Sequence, residues 1–334
     1  MSSSDIIDSW NRASDFINRY IPIFIYIFGI TGNFLNVLVL SQKPICFNTS
    51  AVYFLISSIS SLIAIISGLT SRMMSGYTVD LTSTVEWICR TRNFILYTSR
   101  TITLWLIAFA TIDRWLSTCI NANRRQISTL KNTRRCIILI IIFSILLNIP
   151  ILCCYQANLT GALRGCYGST YICRVVTDVI YAVITTLFPL CLMIGFGIMT
   201  IQNTRYTRNR IQAIPMVSMS IEPPKTFTNL TRDQQQVKRK INRHLLKMLS
   251  VQVTLFIILT CPHAIQKAYT SISASTSTQS IQSAIENFIF NFVTLMNFTA
   301  SGISFYIYTL SGGSLFRNAL FQLVKGIQLK VLCR

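Results

Sequence analysis

Arg100 stands inside a run of apolar and hydroxyl residues, Leu96-Tyr97-Thr98-Ser99-Arg100-Thr101-Ile102-Thr103-Leu104, where a permanent charge needs a partner or a wet cavity. Two readings are open. Arg100 either closes an internal ion pair, with Asp178 as the acid, or its planar guanidinium recognises an anionic group of a ligand. Arg72, Arg92, Tyr97, His263 and Lys267 fall near the ends of this and two other apolar runs. His263 suits a hydrogen-bonded packing role equally well, and Lys267 has a stem long enough to snorkel toward solvent. At the end of one run, Thr111-Ile112-Asp113-Arg114-Trp115 sets an acid beside a base, the arrangement for a reversible ion pair. An enzyme is not supported: His244 and His263 are the two histidines, and neither paired carboxylates nor a His-Asp-Ser set occurs in the apolar runs. The 11 cysteines lack CxxC pairs at metal spacing, so neither a metal nor a cofactor is expected.

The elements that position these residues are long apolar helices. With 51% hydrophobic and 12% charged residues, the 334-residue chain is poorly suited to a solvated surface. A hydrocarbon core about 30 Å thick needs roughly 20 residues of helix at 1.5 Å each. Seven stretches qualify: Ile21–Ser41, Ala51–Met74, Asn93–Cys119, Cys136–Tyr155, Val175–Ile201, Lys247–Thr270 and Ile285–Leu310. The second is diluted by Ser57, Ser58, Ser60 and Ser61, which are tolerated where helices pack closely. The expected fold is all-α, a seven-transmembrane helix bundle, with residues 1–20 as an N-terminal segment, 21–310 as the bundle and 311–334 as the tail.

The formal charge of +20 sits between the spans. Lys43, Arg124, Arg125, Lys131, Arg134, Arg135, a dense set from Arg205 to Lys247, and Arg317, Lys325, Lys330 and Arg334 share one side. Asp5, Asp8, Asp15, Asp80, Glu86, Asp178 and Glu286 fall on the other. The positive-inside rule then puts the N-terminus outside and the C-terminus in the cytoplasm, so the charge reads as topology beside membrane lipid and not as nucleic-acid binding. The first twenty residues lack the pattern of a cleaved signal peptide, which leaves targeting to the first apolar helix. Gln202–Lys240, with Pro215, Pro223 and Pro224, reads as a polar, partly disordered cytoplasmic loop. After Gly312-Gly313, the spacing of Leu315, Phe316, Leu320, Phe321 and Val324 predicts a short amphipathic cytoplasmic helix on the inner membrane surface, and Cys333 beyond it is a candidate for palmitoylation. Asn158-Leu159-Thr160 is the glycosylation sequon placed in an outer loop.

Asp113-Arg114-Trp115 resembles the Asp-Arg-Tyr motif of rhodopsin-class G-protein-coupled receptors, with tryptophan in the third place. Cys89 precedes Arg114 by 25 residues, about 37 Å along a helix, which puts them on opposite sides of a bilayer. The resemblance continues through Pro189, Phe256 and Pro262 to Tyr308, and covers roughly Tyr20 to Phe321. It implies that Asp113 restrains Arg114 at rest, that Arg114 turns toward a heterotrimeric G protein on activation, and that Phe256, Pro262 and Tyr308 belong to the switch. It also implies a disulfide from Cys89 to the loop before the fifth span, with Cys166 the chosen partner and Cys173 the alternative. Arg100, Arg72, Arg92, Tyr97, Asp178, His263 and Lys267 fall where the family binds ligand, and their basic balance points to an acid-bearing molecule, a peptide included. Asn33 in Gly32-Asn33-Phe34-Leu35 reads as a structural peg between helices.

The departures narrow the reading. Ser61 and Thr260 replace an aspartate and a tryptophan of the family, and Ser304-Phe305-Tyr306-Ile307-Tyr308 replaces Asn-Pro-x-x-Tyr. No allosteric sodium site is expected at Ser61. Asn242 stands where an acid would latch the motif arginine, so ligand-independent signalling is expected. Leu96 and Phe298 replace the amine-binding aspartate and the retinal-binding lysine, which removes both ligand classes. In texture the chain is similar to invertebrate neuropeptide receptors of the FMRFamide-like type, which would place it in the plasma membrane. The competing class is a seven-helix transporter or channel with Arg100 in the substrate pathway, although an internal repeat is lacking.

Overall fold

The computed structural model describes residues 3–43, 45–75, 84–158, 166–212, 249–270, 281–311, 317 and 320–321. The helices are α1 (Ser3–Leu40), α2 (Thr49–Ser75), α3 (Glu86–Thr118), α4 (Leu130–Cys154), α5 (Tyr171–Val179), α6 (Phe188–Gln212), α7 (Leu249–Thr270), α8 (Ile281–Gly302) and α9 (Ser304–Ser311). A π-helical segment, Ile180–Leu187, joins α5 to α6 within one span. Among the described residues, six spans are long and apolar enough to cross a membrane, and α8 with α9, bent by 49°, makes a seventh when the pair is taken as one span. Arg317, Leu320 and Phe321 are helical beyond α9, and the remainder of that amphipathic segment, with Cys333, lies outside the described residues.

Burial is arranged for lipid. On α4, Ile138, Leu139, Ile142, Leu146 and Ile149 are exposed, while Thr133, Ser144 and Asn148 are buried. In water that pattern would be unstable; in hydrocarbon, polar side chains turned toward neighbouring helices are satisfied and apolar ones face the tails. Ser57, Ser58, Ser60 and Ser61 of α2 are all buried, which explains how a serine-rich stretch serves as a span. Asn148 of α4 donates to Thr101 of α3 at 3.2 Å, one of the polar ties across the bundle.

Helix α1 starts well before Ile21. Its additional turns pack on the bundle through the Trp10 and Phe288 rings at 5.0 Å, Asn291 donating to Ser14 at 2.7 Å, and Arg72 donating to Asn18 at 2.9 Å. Residues 3–20 therefore carry helix and tertiary contacts that their polar composition concealed. Farther along α1, Gly29 meets Gly302 of α8 backbone to backbone: a Cβ on Gly302 would lie 3.1 Å from the Cα of Gly29. Asn33 spans the same junction, its amide donating to the carbonyls of Gly29 (2.8 Å) and Ser301 (3.0 Å). The peg expected at Asn33 is thus in place, next to the bend that replaces the family's proline break.

At the end of the bundle that carries Cys89, a hairpin of β1 (Tyr155–Gln156) and β2 (Tyr167–Gly168) pairs antiparallel. Two disulfides fasten it. Cys89 of α3 joins Cys166, and Cys154 at the end of α4 joins Cys173 in α5. The alternative of a Cys89 to Cys173 bond is excluded, because Cys173 already closes a second loop that the sequence did not reveal.

Candidate functional site

Four of the seven residues expected to meet a ligand converge between α3, α5 and α7 under the hairpin. Lys267 of α7 is 2% exposed and Asp178 of α5 is fully buried, with Nζ 2.7 Å from Oδ1. The ammonium also donates to the Tyr97 hydroxyl at 2.5 Å and lies over the Tyr97 and Tyr181 rings, 4.7 and 5.1 Å from their centroids. Tyr167 of β2 donates to the other Asp178 oxygen, so the hairpin closes over the pair. Lys267 does not snorkel. A lysine stem reaching solvent would leave Asp178 charged in a low-dielectric interior, and the pair is the arrangement that satisfies both groups.

This also corrects the partner suggested for Arg100. Asp178 is engaged by Lys267 and Tyr167, and Arg100 instead stacks its guanidinium on the Phe298 ring of α8, 4.3 Å from the centroid. Arg72 and Arg92 stand apart from the Lys267 cluster. Arg72 donates to Asn18 and Asn291 and lies 5.9 Å from the Phe290 ring; Arg92 donates to the carbonyls of Ser67 and Gly68.

Beside the ion pair, His263 Nδ1, Asn297 Nδ2 and the Tyr181 hydroxyl form a triangle with sides of 3.2, 3.0 and 2.8 Å. Asn297 belongs to a nominal sequon yet is buried here, donating inside the bundle. Tyr155, Tyr167, Tyr181 and Asn297 were not singled out from the sequence. Tyr167 follows Cys166 directly, and Tyr181 lies three residues after Asp178; those adjacencies were the available signals. A small cavity lined by Tyr97, Asn148, Pro150, Ile151, Tyr155 and Thr177 lies next to the cluster.

The opposite end of the bundle is built around Asp113. Its carboxylate accepts from Thr49 (2.6 Å) and Ser50 (2.8 Å) of α2 on one oxygen and from Ser128 (2.6 Å) on the other. Arg114 donates to the Asn48 side chain at 2.6 Å. A cage of hydroxyls thus surrounds the acid, while an amide oxygen accepts from the base. Trp115 packs on Phe196 of α6 at 5.1 Å and carries Arg124 above its ring at 5.6 Å. Phe256 and Tyr308 are buried, and the Tyr308 hydroxyl donates to Gln252 of α7 at 2.8 Å, tying α9 to α7. Asn242 lies outside the described residues.

Helix α7 continues through Pro262, and the π segment ends two residues before Pro189. Proline cannot donate to the helical ladder, and a π turn absorbs the displaced carbonyls at the level of the cluster. Thr185 within that segment thereby meets Thr101 of α3 at 3.2 Å.

A family model described as 7 transmembrane receptor (rhodopsin family) matches residues 32–306, from the Asn33 peg into the second half of the bent seventh span. The chain belongs to the rhodopsin family of seven-transmembrane receptors. The receptor is a multi-pass membrane protein and not an enzyme. It is similar to the protein named Neuromedin U receptor homolog nmur-2 of Caenorhabditis elegans, 23% identical over 299 residues that cover 84% of this chain and 71% of the relative. Receptor membership removes the transporter reading of Arg100.

Proposed function

We propose that this receptor sits in the plasma membrane with its N-terminus outside, binds an extracellular peptide beneath the disulfide-bonded hairpin, and activates a heterotrimeric G protein at Asp113-Arg114-Trp115. The observation that carries this reading is the Lys267–Asp178 pair with Tyr97, a desolvated charge network joining α3, α5 and α7. A peptide that offers a carboxylate to Lys267 or a cationic or amide group to Asp178 exchanges one buried pairing for another. Such an exchange changes the link between α5 and α7, and a ligand that interacts differently with the two arrangements shifts their populations. The name of the nematode relative supports a peptide ligand, and the basic loops support the orientation. Arg72, Arg92 and His263 line the approach as supporting contacts; Asn158 is the proposed glycan site and Cys333 the proposed palmitoylation site, with Arg317, Leu320 and Phe321 in the helix on the inner lipid surface.

The experiment is nucleotide exchange on a G protein in membranes bearing the receptor, screened against a neuropeptide library. Peptide-dependent exchange that is lost in Lys267→Ala and Asp178→Asn, compared per receptor at matched surface density, is the expected result. A peptide response equal to wild type in both variants removes the ion pair from the ligand site.

A further inference from the structure

Arg100 is the buried cation that the Lys267 network does not use. It is 6% exposed, it lies on α3 one turn closer to Arg114 than Tyr97, and its Nη2 is fully enclosed without a hydrogen-bond acceptor. Four described acids are committed elsewhere. Asp178 pairs with Lys267, Asp113 accepts three hydroxyls, Glu86 pairs with Arg90, and Glu286 accepts from Gln282 and Tyr269. Asp5, Asp8 and Asp15 lie in the first turns of α1, and no ion pair joins any of them to Arg100 among the described residues. What Arg100 has is the Phe298 ring against one face of its guanidinium at 4.3 Å. A ring face attracts a cation but offers no acceptor in the guanidinium plane, where its N–H groups point.

We infer that Arg100, seated on Phe298, is a binding site for a small monovalent anion, a halide or a carboxylate, in the core of the bundle. The guanidinium plane presents parallel N–H donors that fit one carboxylate in bidentate fashion or one halide in the fork between them. The stacked ring shields one face of the guanidinium, and the enclosed Nη2 edge without an acceptor is where the anion docks. The wall next to it supplies apolar enclosure from Leu96, and Phe298 is set against Gly68, where any larger side chain would collide with the ring. One turn deeper, Ser61 and Thr103 hydroxyls meet at 3.5 Å, so the cation stands above a neutral hydroxyl pair and an anion there meets no opposing carboxylate. This site goes beyond the peptide site proposed above and stands or falls independently of it, because its test uses inorganic and simple organic anions.

The test is thermal unfolding of purified detergent-solubilised receptor, titrated with sodium chloride, bromide or acetate at fixed ionic strength against the bulky anion isethionate. The expected result is a saturable rise in Tm of about 2–4 °C in wild type, absent in Arg100→Gln and partly retained in Arg100→Lys. A rise with chloride and bromide identifies a halide from the medium as the occupant. A rise confined to acetate identifies a carboxylate, the group an acidic ligand would carry. If wild-type receptor shows no anion-specific shift, or a linear unsaturating one, the inference is overturned whether or not the glutamine variant folds. A shift of equal size in Arg100→Gln overturns it as well.

Discussion

The ammonium of Lys267 and the carboxylate of Asp178 sit 2.7 Å apart with essentially no access to solvent, and they join α7 to α5. Buried pairs of this kind are strongly sensitive to loss of one partner, because the survivor is left charged without compensation. Lys267→Ala or Asp178→Asn should each lower unfolding stability by about 3–5 kcal/mol. The double variant Lys267→Met with Asp178→Leu should recover much of that loss while abolishing ligand response. Thermal unfolding of the set gives the coupling; additive losses in the double variant would show that the pair is not a unit.

The two disulfides should differ in weight. Cys89–Cys166 closes 77 residues and Cys154–Cys173 closes 19. In the chain-entropy account, the longer closure contributes about 1 kcal/mol more. Cys89→Ser with Cys166→Ser should therefore reduce stability and surface expression more than Cys154→Ser with Cys173→Ser. Mass mapping under non-reducing conditions checks the connectivity directly, and a Cys89–Cys173 peptide would contradict it.

At the other end, the hydroxyl cage predicts graded effects on basal signalling. Asp113→Asn weakens all three hydroxyl contacts and the attraction to Arg114, and should raise ligand-independent nucleotide exchange by about 5–150-fold, the range of a 1–3 kcal/mol coupling. Ser50→Ala removes one donor and should give a smaller rise. Arg114→Ala should silence the signal in every background. Unchanged basal exchange in Asp113→Asn would mean that the cage has no part in the resting state.

Sodium should be without effect on agonist affinity. Ser61 faces Thr103 at 3.5 Å and supplies no carboxylate for a cation, and Arg100 on the same helix as Thr103 adds a positive charge. Binding assays with sodium exchanged for N-methylglucamine at constant chloride check this. A sodium response that vanishes in Ser61→Ala would refute it.

Glycosylation reports the orientation. Asn158 is exposed at φ 57° with its amide donating to the Thr84 carbonyl at 3.0 Å, a contact that a glycan on that nitrogen would alter. The endoglycosidase-sensitive mobility shift expected in cells should disappear in Thr160→Ala, which removes the sequon and leaves the Asn158 conformation available. A shift retained in that variant assigns the sugar elsewhere.

What the sequence determined is depth and order. Apolar length marks the spans, basic loops mark one side, and helical rise puts Cys89 and Arg114 at opposite ends of α3; those quantities accumulate along the chain and need no knowledge of neighbours. Burial of the serines on α2 and the peg at Asn33 follow from the same logic, since polar groups in a bilayer must turn inward. The tertiary structure alone decided which inward-facing groups meet. Asp178 pairs with Lys267 and not Arg100, Cys173 with Cys154 and not Cys89, and Asp113 accepts from Thr49, Ser50 and Ser128. Lateral pairing depends on how each helix is rotated about its axis. The π segment at Ile180–Leu187 and the 49° bend between α8 and α9 change that rotation in ways a regular 3.6-residue period does not register. Arg100 shows the division most plainly. Its sequence position placed a charge in the bundle core, and only the packing of Phe298 against it, with Asp178 engaged by Lys267, made it a site.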